Sequence, residues 1–185
     1  KLDSLHDARQ IIQYCRRVRT AVVIGGGITA LELVEGLRAR GVRVHYLLRG
    51  DRYWNNVLDE IESRIIEQRL VHEGVKIHYK TEADEILGHN QHVSGVRLKS
   101  GAIIRCDLVA GAIGVLPRVE LAKISGLTVE RGVLTDEMMQ TCQPDIFAAG
   151  DVAEAYDPVS KRRVLDTLWG PAREQGAVAG NNMAG

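Results

Sequence analysis

Aromatic residues are scarce in this chain, at one Phe, two Trp and five Tyr in 185 residues, so any core must be mainly aliphatic. Charge of one sign is also lacking. Lys and Arg number 24 against 24 Asp and Glu, giving a formal net charge of zero. That balance excludes the basic surplus by which nucleic-acid and membrane-surface binders are usually recognised. No apolar run approaches the ~20 residues of a membrane helix, and no charged-then-apolar leader opens the sequence. The first residue is Lys1, which reads as a cut within a longer chain. Cys15, Cys106 and Cys142 form neither a CxxC pair nor a zinc pattern, so reduced thiols and a cytoplasmic location are expected. The six His fall into no HExxH pattern and no group with the cysteines, so no metal site is expected.

Glycine is plentiful, at 19 residues, above the ~7% of an average protein. The chain opens on a short helix over Ser4 to Arg17, with Ser4 as its cap and Leu5, Ala8, Ile11, Ile12 and Cys15 on one side. Thr20 to Ile24 is an apolar β-branched run, which suggests a strand buried on both faces. Gly25-Gly26-Gly27 breaks it, and Leu31, Val34 and Leu37 then recur at helical spacing up to Gly41. A strand at Arg43 to Leu48, a helix from about Asn56 to His72 and a strand at Val75 to Tyr79 follow. The spacing puts Leu58, Ile61, Ile65 and Ile66 on the buried face of that second helix. Strand, helix, strand, helix, strand implies a right-handed parallel sheet.

The texture then changes. Ala83 to Leu87, Val93 to Leu98 and Ala102 to Arg105 are short strands separated by turn residues and read as an antiparallel ribbon. Leu108 to Ala112 is one more buried strand, and short strands near Thr128–Leu134 and Ile146–Ala149 precede a helix after Pro171. The expected fold class is α/β, a Rossmann-like parallel sheet with a ribbon crossover, followed by part of a second α/β segment. The expected boundaries are 1–19 flanking, 20–113 for the first nucleotide domain and 114–185 for the rest.

One motif carries chemistry. Gly25-Gly26-Gly27-Ile28-Thr29-Ala30 fits G-x-G-x-x-A between a strand and a helix. Gly25 permits the tight turn, Gly27 lets the backbone approach a pyrophosphate, and Ala30 lets helix and strand pack closely. The helix N-terminus offers unpaired N–H groups and a positive dipole end. For NAD an acid is expected about 20 residues on, at the end of the second strand. That strand ends Leu47-Leu48-Arg49, with no carboxylate at Leu48 and Asp51 slightly late. Arg49 and Arg52 would either face the 2′-phosphate of NADP or lie solvated in the loop. A short-chain dehydrogenase is excluded, because no Tyr has a Lys four residues on.

Val22 to Leu33 resembles the NAD(P)-binding turn of the FAD-dependent pyridine nucleotide-disulfide oxidoreductases. Leu108 to Pro117 is similar to that family's return strand, and Thr141 to Asp151 to its second FAD motif. Three motifs in this order cover nearly the whole chain. The branch most resembled holds ferredoxin and rubredoxin reductases, NADH oxidases and the flavin part of nitrite reductases. The resemblance implies cofactors FAD and NAD or NADP, and hydride passing from NAD(P)H to FAD and on to a redox protein, nitrite, oxygen or a disulfide. It further implies that Gly25, Gly26, Gly27, Ile28, Thr29 and Ala30 hold the NAD(P) pyrophosphate. Glu32 would lie toward the nicotinamide, with Ile113 and Gly114 lining the same cleft. Leu48 and Arg49 would flank the ribose, Gly150 and Asp151 would meet the FAD ribityl chain, and Trp169 would lie near the flavin ring. No catalytic acid or base is implied, because the cofactors carry the chemistry. The family's first FAD motif, any redox-active cysteine pair and its C-terminal interface domain are not in this sequence, so the remainder of the FAD domain and that interface domain are expected partners. The rival reading is a non-catalytic NAD(P)-binding redox sensor, against which the Thr141–Asp151 segment speaks.

Overall fold

A computed structural model describes residues 4–185, which divide into two compact units, one ending at Gly114 and the other spanning Val115–Gly185. In the first unit, helix α1 (Leu5–Cys15) starts where the Ser4 hydroxyl accepts the Asp7 N–H. Of its expected apolar side only Cys15 is buried, Ala8 and Ile11 are half-buried, and Leu5 and Ile12 are exposed. Strands β1 (Thr20–Ile24), β2 (Arg43–Leu47), β3 (Lys76–His78) and β7 (Leu108–Gly111) form one parallel sheet in the order β3-β2-β1-β7. Helices α2 (Ile28–Arg38) and α3 (Glu60–His72) connect β1 to β2 and β2 to β3.

Alternation along β1 accounts for both of its faces. Ala21 and Val23 pack with Ala30, Val34, Tyr46, Leu48 and Leu70 on the helical side. Val22 packs on the opposite side with Leu47, Val96, Leu98 and Cys106. That second layer is the antiparallel ribbon β4 (Ala83–His89), β5 (His92–Leu98) and β6 (Ile103–Arg105), which carries the chain across to β7. The Asp107 carboxylate accepts the N–H groups of Arg19 and Thr20 and so pins the start of β1 beside β7.

Helix α3 departs from its expected face. It begins at Glu60, after an Asp59 cap that exchanges hydrogen bonds with Glu62. Ile61 and Ile65 are 71% and 63% exposed, and Ile66 and Leu70 join the core instead, with Ser63 buried alongside. Ser63 is fully buried because its hydroxyl donates to the carbonyls of Tyr53 and Asp59 at 2.7 and 2.8 Å, the satisfaction a buried hydroxyl requires.

The second unit holds α4 (Glu120–Ile124) and the sheet β8 (Val133–Thr135), β9 (Ala153–Asp157) and β10 (Arg162–Val164), ordered β10-β9-β8. Helix α5 (Trp169–Ala184) follows, with Pro171 in its first turn, where no intrahelical donor is lost. The expected strand at Ile146–Ala149 is not one. A single bridge, Gln140 to Phe147, closes a loop there, flanked by hydrogen bonds from Thr141 N–H to Ile146 O and from Ala148 N–H to Met139 O. The β9–β10 hairpin was not anticipated. Its buried Glu154 accepts from the backbone N–H groups of Arg131 and Gly132 and from the Arg131 guanidinium, so a polar-looking segment runs through the interior.

Candidate functional site

In the first unit the chain leaves β1 in one direction toward β2, and the strand on the other side, β7, arrives from the ribbon. The ends of β1 and β7 therefore form a switch point, where ligands of open α/β sheets bind. Gly25 sits there at φ 149°, and a Cβ on it would lie 2.1 Å from the Ala112 carbonyl oxygen and 3.1 Å from the Ala30 Cβ. The Ala112 N–H is itself bonded to Ile24 O at 2.8 Å, which fixes that carbonyl. Glycine at 25 is thus a demand of the fold. Ala30 is fully buried, as the close helix–strand approach requires.

Gly26 and Gly27 differ from Gly25. A Cβ on Gly26 would meet nothing within 4 Å, and one on Gly27 only the Trp54 Nε1 at 3.9 Å. Gly27 is the N-cap of α2 in extended backbone (φ −111°, ψ −171°) with no side-chain cap. No side chain caps the first N–H groups of α2, and of these residues Ile28 and Thr29 reach the surface; such a terminus attracts anions. Packing makes no use of the smallness of Gly26 and Gly27, whereas a pyrophosphate resting on the turn would. The residues present fit a dinucleotide.

At the end of β2, Leu48 is 1% exposed and packs in the helical-side core, so its side chain is not offered to a ribose. Arg49 is the first exposed side chain beyond it and forms no hydrogen bond or ion pair among the described residues. Arg52 is engaged. Its guanidinium donates to the carbonyls of Asn55 and Leu58 and pairs with Asp51. Glu32 is exposed on α2, joins no ion pair among the described residues and contributes to the field that, with burial as the larger cause, pushes the Tyr53 hydroxyl up to about 12. Ile113 is 86% exposed, and Gly114 has φ 116°, at the end of this unit.

A residue outside the motif joins the turn. Trp54 donates its backbone N–H to Gly26 O at 3.1 Å and holds φ 47°, an outlier for a bulky side chain. Holding such a conformation costs about 1–3 kcal/mol. The sequence carried no signal for it beyond an indole in a loop. A separate hollow of about 790 Å³ beside α3, lined in part by Arg52, Arg64, His72 and Tyr79, includes none of the turn residues.

In the second unit, Gly150 has φ 76°, is buried, and lies against α5, where a Cβ would come within 3.5 Å of Ala172. Its N–H donates to Gln175 Oε1 at 2.8 Å. Asp151 follows in a 3-10 turn (Gly150–Val152) and is exposed, and its carboxylate accepts no hydrogen bond among the described residues. It therefore does not cap the turn and remains available to a hydroxyl ligand. Trp169 is 79% exposed at the start of α5, with the Arg173 guanidinium 5.8 Å from its ring centre. Among the described residues no helix is long and apolar enough to cross a membrane, and no His, Cys, Asp and Glu cluster could hold a metal.

Comparison with known proteins gives a consistent result. A family described as pyridine nucleotide-disulphide oxidoreductase matches residues 1–176. An NAD(P)H sulfur oxidoreductase (CoA-dependent) of Pyrococcus abyssi is 37% identical over 97% of this chain and 40% of its own length. A rubredoxin-NAD(+) reductase of Ectopseudomonas oleovorans is 32% identical over 85% of this chain and 41% of its own. The solved structure of a ferredoxin reductase from Rhodopseudomonas palustris superposes with a TM-score of 0.90 at 29% identity, covering 97% of this chain and 45% of that one. The chain thus spans about two fifths of the length of the curated relatives it matches.

Proposed function

The chain belongs to the pyridine nucleotide-disulphide oxidoreductase family, and on that premise we propose that it binds NADH or NADPH within a longer flavoprotein that passes hydride to an electron acceptor. When bound, the reduced nicotinamide supplies a hydride that FAD accepts, two electrons at a time, and hands on. This chain's own residues bind and orient. Gly26 and Gly27 leave room for the pyrophosphate, the N–H groups of Ile28 and Thr29 donate to it, and Gly25 and Ala30 hold helix and strands close enough to form the turn. Glu32, Ile113 and Gly114 border the nicotinamide end, and Arg49 the adenosine end. Asp151, following Gly150, accepts from the FAD ribityl chain, and Trp169 borders the flavin ring.

The observation that carries this reading is the uncapped α2 terminus above two glycines whose missing side chains no protein atom fills. The relatives' names divide the acceptors among sulfur compounds, nitrite and small redox proteins, and a rubredoxin or ferredoxin is one acceptor class in keeping with them. The three free thiols fit a reducing compartment such as the cytoplasm. Calorimetric titration of the 185-residue chain with NADH and NADPH tests the reading. Saturable binding of at least one at 1:1 is expected, and no heat from either at millimolar nucleotide overturns it.

A further inference from the structure

We propose that Trp54 is a nucleotide-binding residue whose indole N–H donates to the pyrophosphate seated on the Gly25–Ala30 turn. The proposal rests on the nucleotide reading above and extends it to a residue outside the glycine motif. Trp54 is clamped on both sides of its backbone. Its N–H bonds Gly26 O at 3.1 Å, and its carbonyl accepts from Val57 and Leu58, both at 2.9 Å. The clamp holds φ at 47°, in the left-handed region that a bulky aromatic rarely occupies.

The ring body is half-buried against the core, tilted on Tyr53 with centroids 6.0 Å apart. Its polar edge is directed elsewhere. Apart from the turn itself, Nε1 is the one atom within 4 Å of the place a Gly27 Cβ would take, at 3.9 Å. No described residue accepts from that N–H, although an indole N–H in a packed setting normally finds an acceptor. A phosphate oxygen settling into the Gly27 space needs to approach by only about 1 Å to reach hydrogen-bond length. A leucine or phenylalanine would fill the apolar slot equally well, so packing alone accounts for neither the donor nor the strained backbone that aims it. The acceptor this donor suits is an anionic oxygen, and the pyrophosphate carries more of these than the first N–H groups of α2 can satisfy.

The chain has only two tryptophans, Trp54 and Trp169, so its nitrogen-15 spectrum carries two indole N–H signals, which Trp169→Phe assigns. Titrating with ADP-ribose, which has the pyrophosphate but no nicotinamide, should move the Trp54 signal downfield. In parallel, Trp54→Phe, which keeps a ring and loses the donor, should weaken NADH and ADP-ribose by the same factor, about tenfold, with the melting temperature retained. A Trp54 signal that stays in place at saturation overturns the proposal, even if the variant fails to fold. Unchanged affinity of a folded Trp54→Phe also overturns it, as does a loss confined to NADH. If the parent chain binds neither ligand, the nucleotide reading falls and this inference with it. If the parent binds and only the Trp54 results fail, the nucleotide reading stands.

Discussion

Gly25 and Gly27 occupy one motif but should fail in opposite ways. In Gly25→Ala the new methyl group would stand 2.1 Å from the Ala112 carbonyl oxygen, with the Ala30 methyl 3.1 Å away. Neither can retreat cheaply, because Ala112 is bonded to the end of β1 and Ala30 is fully buried. The backbone at φ 149° adds a conformational penalty. Overpacking at about 1–3 kcal/mol and a glycine-only conformation at about 1–3 kcal/mol together give roughly 2–6 kcal/mol. At roughly 4 °C per kcal/mol for a unit of this size, the melting temperature should fall by about 8–24 °C.

Gly27→Ala meets open space and an extended backbone that any residue adopts. Exchanging Gly for Ala at an N-cap costs about 0.5 kcal/mol, so melting should move by no more than about 3 °C. Its methyl group, however, projects where the pyrophosphate is to lie, and NADH affinity should drop at least about tenfold. Calorimetric melting paired with NADH titration separates the two. The reasoning is refuted if Gly25→Ala melts with the parent, or if Gly27→Ala loses stability and keeps its affinity.

Glu154→Ala strands the N–H groups of Arg131 and Gly132 in the second unit, so that unit should lose about 2–4 kcal/mol in urea unfolding; an unchanged midpoint would show the pair to be ornamental. His45 Nδ1 and His78 Nε2 are 2.9 Å apart, and burial, with neighbouring cationic charge adding to it, holds both rings below the ordinary 6.5. Because the folded state disfavours the extra proton, their stabilisation is complete above pH 6.5 and lost as pH falls through the lowered folded values; His45→Phe should flatten that acid limb of first-unit melting, and an unaltered limb counts against the pair. Arg49→Ala should weaken NADPH about tenfold and leave NADH nearly unchanged, since only the former offers a 2′-phosphate; equal effects on both would place Arg49 outside the site. In a flavin-bearing form of the protein, Asp151→Ala should weaken FAD retention by roughly ten- to a hundredfold without lowering the melting temperature; a variant that keeps its flavin through dialysis as the parent does removes Asp151 from the cofactor.

What could be read from the sequence was whatever its neighbours along the chain decide. The strand, glycine turn and helix from Thr20 to Arg38 announce themselves by apolar runs and a Gly cluster, and the ribbon by its turn residues. What escaped depends on partners distant in the sequence. Ser63 is buried because Tyr53 O accepts its hydroxyl, and that turns Ile61 and Ile65 outward although periodicity alone favours them. Glu154 lies inside a strand because Arg131 and Gly132, more than twenty residues earlier, satisfy its carboxylate. Ala148 and Ala149 are apolar enough for a strand, yet Ala148 N–H bonds Met139 O within a closed loop.

The end of β2 shows how a spacing rule and a fold can point at different atoms. Counting from Gly27 leads to Leu48 as the ribose position, and its lack of a carboxylate looks like a missing contact. In the fold, Leu48 N–H bonds His78 O and Leu48 O accepts from Thr81, so β3 clips this residue to the sheet. Strand alternation then sends its side chain to the same side as Tyr46, into the helical core. Position 48 could not carry a carboxylate without burying an unpaired charge. The next side chain free of the sheet is Arg49, and it carries the opposite sign. Spacing counts residues, whereas the ribose end of the site is set by which side chain leaves the pleat. On the proposed reading, Arg49 would make the adenosine end cationic and give it a use for the extra phosphate of NADP.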